Sequence, residues 1–484
     1  MMVEMVGFRM LAPYFGYSVY VSGALLSVVM LALALGYLVG GRWADRSNSD
    51  QSLYGIIFIS AVLVLAMILF YQFFLNQLLP FSIVTGSLIA SFVLFTPSMF
   101  FLSMISPWLI KILARKGAIG TTAGTVYSIS TLGSIVGTLL ASFYLIPELG
   151  IKTTLMIVFS VLMLVSVAGL MKYRKVWLGA LCLLLIPFLY NVPLAIYPPK
   201  IQLEIDSGEI QILQDIESKY SRIMTFYYPQ QEAIAVRPGF RYFHSVLYKN
   251  SLLTGGEWDY YVTGGLAANP VNNILILGQG SGATYKILKQ IYPQAKIICL
   301  DIDEKMMKTG IDFAELKVDE NTSFVIEDAR PFLRKSLIQF DLISIDVFTG
   351  GPFVPFYLVT NEFFEIVSQS LSNNGVFVMN VNDHNQNSLF AKHVMNSAKN
   401  HIKSLFYSRI SDDNTMVYGF KRQLSKADFI EQLQKNKVSE IQDLVKQTIN
   451  QLQLFQPDKK YLFFTDDHAP VEKIIFSMLE NKNL

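Results

Sequence analysis

The chain has 484 residues, 52% of them hydrophobic and only 16% charged, where a soluble domain averages about 25% charged. Its apolar content, with 30 glycines and 2 cysteines, excludes disorder, a collagen-like repeat and a disulfide scaffold. The formal net charge of +2 carries no nucleic-acid signature, because no basic stripe dominates the balance. Cys182, in an apolar run, and Cys299, in a predicted strand, read as inert thiols.

The composition changes abruptly near residue 198. Before it, apolar runs at about 14–40, 53–75, 82–110, 122–147, 153–171 and 176–196 alternate with short polar breaks. Each approaches or exceeds the roughly 20 residues that cross about 30 Å of hydrocarbon. Residues 1–198 are therefore predicted to be a polytopic membrane region of about six helices, embedded in the lipid bilayer of the cell membrane. The stub from Met1 to Pro13 lacks the basic start and small-residue end of a cleaved signal. It reads as the end of an earlier helix, which leaves room for a seventh span upstream. Glu4 and Arg9 within it read as a solvated or interfacial pair.

Arg42 and Arg46, then Lys111, Arg115 and Lys116, then Lys172, Arg174 and Lys175 fall in the first, third and fifth connections. The positive-inside rule places those connections in the cytoplasm. Taken literally, the sixth span then carries the remaining chain outward. The alternative is that 176–196, interrupted by Pro187 and Pro193, does not cross, and the sequence leaves the side open. In the stretch GYLVGGRWADR, Gly36, Gly40 and Gly41 allow close helix packing, and the charges after them anchor a helix end. That stretch also resembles the cytoplasmic loop of major facilitator transporters, and its predicted role is structural anchoring.

Residues 199–265 read as a small antiparallel β subdomain, with strand-like pieces at Ile210–Leu213, Arg222–Tyr227 and Tyr242–Leu247. From 266 to 484 the rhythm becomes strand–helix–strand. NILILG (273–278), KIICLD (296–301), SFVIED (323–328), FDLISIDV (340–347) and VFVMNV (376–381) are apolar runs suited to a parallel sheet covered on both faces. The fold class predicted for this half is an α/β Rossmann-like domain.

The first of these strands ends in Gly278-Gln279-Gly280-Ser281-Gly282, ahead of a helix starting near Ala283. Glycines there let the backbone turn tightly and approach a ligand at the positive end of a helix. Asp301, about 20 residues on at the end of the second strand, is placed to accept ribose hydroxyls. Asp328, ending the third strand, is placed to accept from an adenine amino group. The spacing is not G-x-G-x-x-G, since Ala283 and Thr284 follow Gly282, and the row of acids suits an adenosine carrying a sulfonium better than a dinucleotide. Ile302 and Ala329, next to the two acids, complete the predicted nucleoside set.

At ILILGQGSGAT (274–284), CLDID (299–303), VIEDARPFL (325–333), LISIDVFTGGPFVPFYLVTNEFFEIV (342–367) and TDDHAPVE (465–472), the sequence resembles the spermidine synthase (polyamine aminopropyltransferase) family in its membrane-fused form. The resemblance covers about 205–480, and the fused family's helices resemble 4–196. It implies a transferase that moves an aminopropyl group from decarboxylated S-adenosylmethionine, its co-substrate, to an amine acceptor such as putrescine. It assigns Asp346 as the catalytic acid at the end of the fourth strand and as a substrate contact. It makes Asp301 the ribose binder, Asp328 the adenine-side acid and Tyr261 the aromatic residue of the polyamine groove.

The sequence departs from that pattern in places. The family's aspartate in the glycine loop is Ser281, its second acid after the catalytic one is Thr349, its Tyr-His or Tyr-Gln pair is Tyr261-Val262, and a glutamine position is Leu252. Loss of the loop acid removes repulsion against the carboxylate of intact S-adenosylmethionine, which makes methyl transfer to another acceptor the alternative. A nucleoside-binding transporter or sensor without turnover is the reading from outside enzymology. Asp467 and His468, in Thr465-Asp466-Asp467-His468-Ala469-Pro470, are candidates to close over the acceptor, against the simpler reading of a turn that caps a helix at 471–480. His244 and His384 have no ligand spacing, so no metal is expected. Residues 425–454, with Phe429, Leu433, Ile441, Leu444, Val445 and Ile449 at helical spacing, predict a packing helix pair. A homo-oligomer is compatible with the sequence, which does not fix the state.

Overall fold

The computed structural model describes residues 1–47, 49–115, 118–171, 199–239, 243–313, 316, 318–348, 351–383 and 387–481. The run 176–196, Cys182, Thr349 and His384 lie outside the described residues. The chain divides into two compact units, 1–204 with 216–221, and 205–215 with 222–484.

The first unit is helical: α1 Met2–Phe15, α2 Val19–Arg46, α3 Gln51–Gln77, α4 Ile83–Ser103, α5 Ile105–Ala114, α6 Ile119–Leu140 and α7 Gly150–Met171. Ser18 and Ser82 cap α2 and α4 through their hydroxyls, which accept from the Val21 and Thr85 amides. Four helical stretches are long and apolar enough to cross a membrane: Val19–Arg46, Gln51–Gln77, Ile83–Ala114 and Ile119–Met171. The last joins α6 to α7 through π-helical Ala141–Leu149, so the expected break between runs 122–147 and 153–171 contains no loop. Gly150, with φ at +77°, turns the chain there instead.

Large apolar side chains stand outward on these helices, among them Met30, Phe70, Phe73, Phe92 and Phe143, as a lipid-facing surface requires. Of the glycines of GYLVGGRWADR, Gly36 and Gly40 pack closely, whereas a β-carbon on Gly41 would meet nothing nearer than Pro107 at 3.9 Å. A β-carbon on Gly36 would lie 2.3 Å from the Phe100 carbonyl, and one on Gly40 would lie 2.7 Å from Met104 Cα. Lys111 donates to the Ala44 and Ser47 carbonyls, which places a cation at the end of α2. Of the expected solvated or interfacial pair in the stub, Glu4 is not solvated. It is 6% exposed within a helix of its own, whereas Arg9 donates to the Tyr17 hydroxyl at 3.1 Å. The 14-residue α1 is too short to have been recognised as a span.

The second unit carries two sheets. The small one, β1 Gln211–Glu217, β2 Arg222–Tyr228, β3 Ala233–Arg237 and β4 Ser245–Tyr248, runs in that order, with β2–β3 and β3–β4 antiparallel. The large one has eight strands: β5 Asn273–Leu277, β6 Lys296–Asp301, β7 Thr322–Ile326, β8 Phe340–Ile345, β9 Leu371–Asn382, β10 Ser404–Arg409, β11 Asn414–Phe420 and β12 Leu452–Leu454. Its order is β12-β10-β11-β9-β8-β5-β6-β7, parallel from β9 to β7 and antiparallel beyond.

Ile274, Ile276, Ile297, Leu342, Val376 and Val378 are completely buried, the signature of strands covered on both faces. Phe429 and Leu433 of helix Lys426–Gln434, and Leu444 and Val445 of helix Gln442–Gln451, pack into this core. The chain leaves β5 in one direction toward β6 and β7, then returns to place β8 on its other side. This reversal opens a crevice at the carboxyl ends of β5 and β8, where ligands of open parallel sheets bind.

Candidate active site

The crevice is built first by glycine geometry. Gly278, Gly280 and Gly282 have φ of +82°, +54° and +98°, values that side-chain-bearing residues rarely adopt. A β-carbon on Gly278 would lie 2.1 Å from the Asp346 carbonyl oxygen. The loop therefore runs directly against the tip of β8, and only glycine fits. The Gly278 and Gln279 amides donate to the Leu300 carbonyl, which ties the loop to β6 as well.

Gln279 and Ser281 are 3% and 1% exposed. Both polar atoms of the Gln279 amide, and Ser281 Oγ, have no hydrogen-bond partner among the described residues. Buried polar groups are normally paired, so these atoms remain available to water or to a ligand. Ser281, at the position where the resemblance expects an acid, is enclosed by helix Glu304–Phe313. A β-carbon on Gly310 would meet the Ser281 carbonyl at 2.4 Å.

Asp301 accepts from the Gly280 amide at 2.8 Å and the Asp303 amide at 2.9 Å. Burial pushes its carboxyl up to about 6, against the pull of those amides. Beside it Ile302 leaves an apolar side chain exposed at the strand tip.

Asp328 caps helix Ala329–Lys335, accepting from the Arg330 amide at 2.9 Å and from the Tyr357 hydroxyl at 2.6 Å. Ala329, the next residue, is buried. Arg330 donates to both Asp466 carboxylate oxygens, at 2.8 and 2.6 Å, and Thr360 donates to the first of them. The turn Thr465–His468 is thereby fastened to the Asp328 helix. Asp467 and His468 sit on it with exposed side chains, ahead of helix Val471–Asn481.

Asp346 stands at the tip of β8, its amide donating to the Leu277 carbonyl at 2.9 Å. Asn380 donates to Asp346 Oδ1 at 3.3 Å. Removal from water and the nearby Glu257 carboxylate push the Asp346 carboxyl up to about 7, opposed by bonds from Asn380 and Tyr261. A carboxyl with that affinity for protons can accept one near neutral pH.

Tyr261 is completely buried, and its hydroxyl donates to the Ile345 carbonyl at 3.0 Å, against the Asp346 carboxylate. It therefore differs from a groove-lining aromatic residue: it presents no surface and acts on the crevice through Asp346. Glu257 was not singled out by sequence reasoning. It opens a short 3-10 turn, Glu257–Tyr260, that runs straight into helix Tyr261–Ala267, and no motif position flagged it.

His244 is held well below the ordinary imidazole range, at about 4, by burial alone. Among the described residues no group of three or more His, Cys, Asp or Glu is placed to hold a metal ion.

Residues 262–421 match the family model described as the spermine/spermidine synthase domain, and this part of the chain carries that domain. A probable polyamine aminopropyl transferase of Bifidobacterium longum is 34% identical over 140 residues, 28% of this chain and 30% of that protein. The polyamine aminopropyltransferase of Vibrio vulnificus is 31% identical over 120 residues, 24% of this chain and 40% of its own. The matched part thus spans less than half the length of these curated relatives. A crystal structure of a probable spermidine synthase from Corynebacterium glutamicum aligns with a TM-score of 0.44 at 16% identity, over 54% of this chain and 98% of that one.

Proposed function

We propose that this domain transfers an aminopropyl group from decarboxylated S-adenosylmethionine to an amine such as putrescine. The observation that carries the reading is Asp346, held at the tip of β8 against the glycine loop at the point where strand order reverses.

In this reading the nucleoside lies across the strand tips. The Asp301 carboxylate takes the ribose hydroxyls, Ile302 and Ala329 flank the adenine, and Asp328 faces its amino group. The loop from Gly278 to Gly282, with Gln279 and Ser281 supplying unpaired polar atoms, faces the sulfonium side. The acceptor's neutral nitrogen attacks the methylene carbon next to sulfur. A C–N bond forms, the C–S electron pair leaves with methylthioadenosine, and the proton passes from nitrogen to Asp346. Holding the two reactants in line supplies much of the rate. Asp467 and His468, on the turn fastened by Asp466, border the acceptor side.

The helical unit seats the protein in the cell membrane as a multi-pass anchor. Its four long apolar stretches and outward-facing apolar side chains support this.

A second reading, methyl transfer from intact S-adenosylmethionine, is favoured by one feature: Ser281 puts no negative charge in the loop to repel the donor's carboxylate. One experiment separates the two. Detergent-purified protein is incubated with putrescine and each donor, and the nucleoside product is identified by mass. Methylthioadenosine formed from the decarboxylated donor supports aminopropyl transfer, whereas S-adenosylhomocysteine formed from the intact donor would replace it with methyl transfer.

A further inference from the structure

Asp328 is the N-cap of helix Ala329–Lys335, and capping needs a single carboxylate oxygen: Oδ1 accepts from the Arg330 amide at 2.9 Å. The other oxygen is held as well. Tyr357, on the short 3-10 turn Phe356–Leu358, donates its hydroxyl to Oδ2 at 2.6 Å, the length of a charge-assisted bond. The torsion that turns an aspartate carboxylate is broad. One bond leaves its plane free to swing; two bonds on separate oxygens fix it.

Tyr357 is itself anchored. The buried Arg330 donates through Nη1 to the Tyr357 carbonyl at 3.2 Å, and both oxygens of Asp466 grip its fork at 2.8 and 2.6 Å. Thr360, further along the same segment, donates to Asp466 Oδ1 at 2.8 Å. Arg330 therefore sets both donors to Asp328, one through its own amide and the other through the backbone of Tyr357. Helix capping does not call for the second donor. Its effect falls on the lone pairs that remain on the two oxygens, which are held in one plane and can only accept.

We propose that Tyr357 is a positioning residue which, anchored by Arg330, aims the Asp328 carboxylate and so sets the preference of the site for a purine bearing a 6-amino group. The inference rests on the reading in which Asp328 faces the adenine amino group. A carboxylate free to turn would exchange one bond to water for one to the base at little net gain. A fixed one rewards the base whose N–H lies in its plane.

The test is equilibrium binding to the full chain in detergent, with two probes: methylthioadenosine, and the same nucleoside with hydrogen in place of the 6-amino group. The wild type is expected to prefer the first by about tenfold or more, the worth of a hydrogen bond to a charged group. Tyr357→Phe is expected to cut that preference by about threefold or more, weakening methylthioadenosine and leaving the analogue as it was. On an Asp328→Ala background, Tyr357→Phe is expected to change the preference no further. Where Tyr357→Phe does not fold, Arg330→Lys, which keeps the charge and loses the fork, is read in the same way. An equal loss for both probes marks a merely structural tyrosine and overturns the proposal, as does an unchanged preference. Equal affinity of the wild type for the two probes also overturns it while leaving the nucleoside site in place. Binding of neither probe removes that site, and the proposal with it.

Discussion

The Tyr261 hydroxyl donates to the Ile345 carbonyl at 3.0 Å, which fixes helix Tyr261–Ala267 to the last residue of β8 before Asp346. The same hydroxyl helps to hold the Asp346 proton affinity down. Tyr261→Phe removes both effects, at a cost of about 0.5–1.5 kcal/mol for the lost hydrogen bond. The expected outcome is a lower unfolding midpoint and an acid limb of the pH–rate profile displaced to higher pH. An unchanged profile would show that Tyr261 is packing alone.

Asp346→Asn removes the proposed proton acceptor without changing its shape. Turnover is expected to fall by about 10²–10⁴-fold, while methylthioadenosine binding stays within about threefold of wild type. In the wild type, kcat/KM should rise tenfold per pH unit below about 7 and level off above it, since only the ionised carboxylate accepts the proton. Steady-state rates from pH 5 to 9 check both statements.

The raised carboxyls also affect folding. Asp301 and Asp346 hold protons to about pH 6 and 7 in the folded chain, above the ordinary aspartate value of 3.8. Between those limits the native state binds more protons than the unfolded one. Their contribution to stability is therefore fully present below about pH 4 and is lost as pH rises through 6 and 7. Asp466, held low chiefly by Arg330, contributes in the opposite sense, losing its part as pH falls below 4. Thermal unfolding midpoints of Asp346→Asn should accordingly vary less between pH 5 and 8 than those of the wild type.

Gly278→Ala places a β-carbon within 2.1 Å of the Asp346 carbonyl at a φ of +82°. The left-handed conformation alone costs roughly 1–2 kcal/mol, and relieving the clash must part the loop from β8. Both the unfolding midpoint and methylthioadenosine affinity are expected to drop. A variant with wild-type affinity would mean that the loop does not touch the nucleoside.

Much of this architecture was legible in the sequence. Strands β5, β8 and β9 were readable because both of their faces are largely buried, leaving apolar runs such as 274–277 and 376–379, whereas the edge strand β7 is only partly buried. The antiparallel extension was not readable, because β10 and β11 mix Ser, Arg and Asn among their apolar residues and acquire their register only by pairing, Phe406 with Tyr418 for example. Helix α1 reads in the sequence only as the end of an earlier helix, because 14 residues do not reach across hydrocarbon. The site divides in the same way. Glycines and acids at strand ends announce themselves by position. The fastening of Asp466 to Arg330 spans 136 positions and is visible only in three dimensions. Glu257 belongs to a turn whose neighbouring acid, Asp259, is committed to the Thr254 and Gly255 amides, so residue type alone could not tell the two apart.

The central claim is that an adenosyl sulfonium occupies the tips of β5, β6 and β8. Calorimetric titration of decarboxylated S-adenosylmethionine into the detergent-purified chain tests it most directly, with Asp301→Ala alongside. Saturable one-to-one binding by the wild type is expected, weakened by about tenfold or more in Asp301→Ala, which loses charge-assisted bonds to the ribose hydroxyls. No heat with folded wild-type protein, or equal affinity in the two proteins, would contradict it.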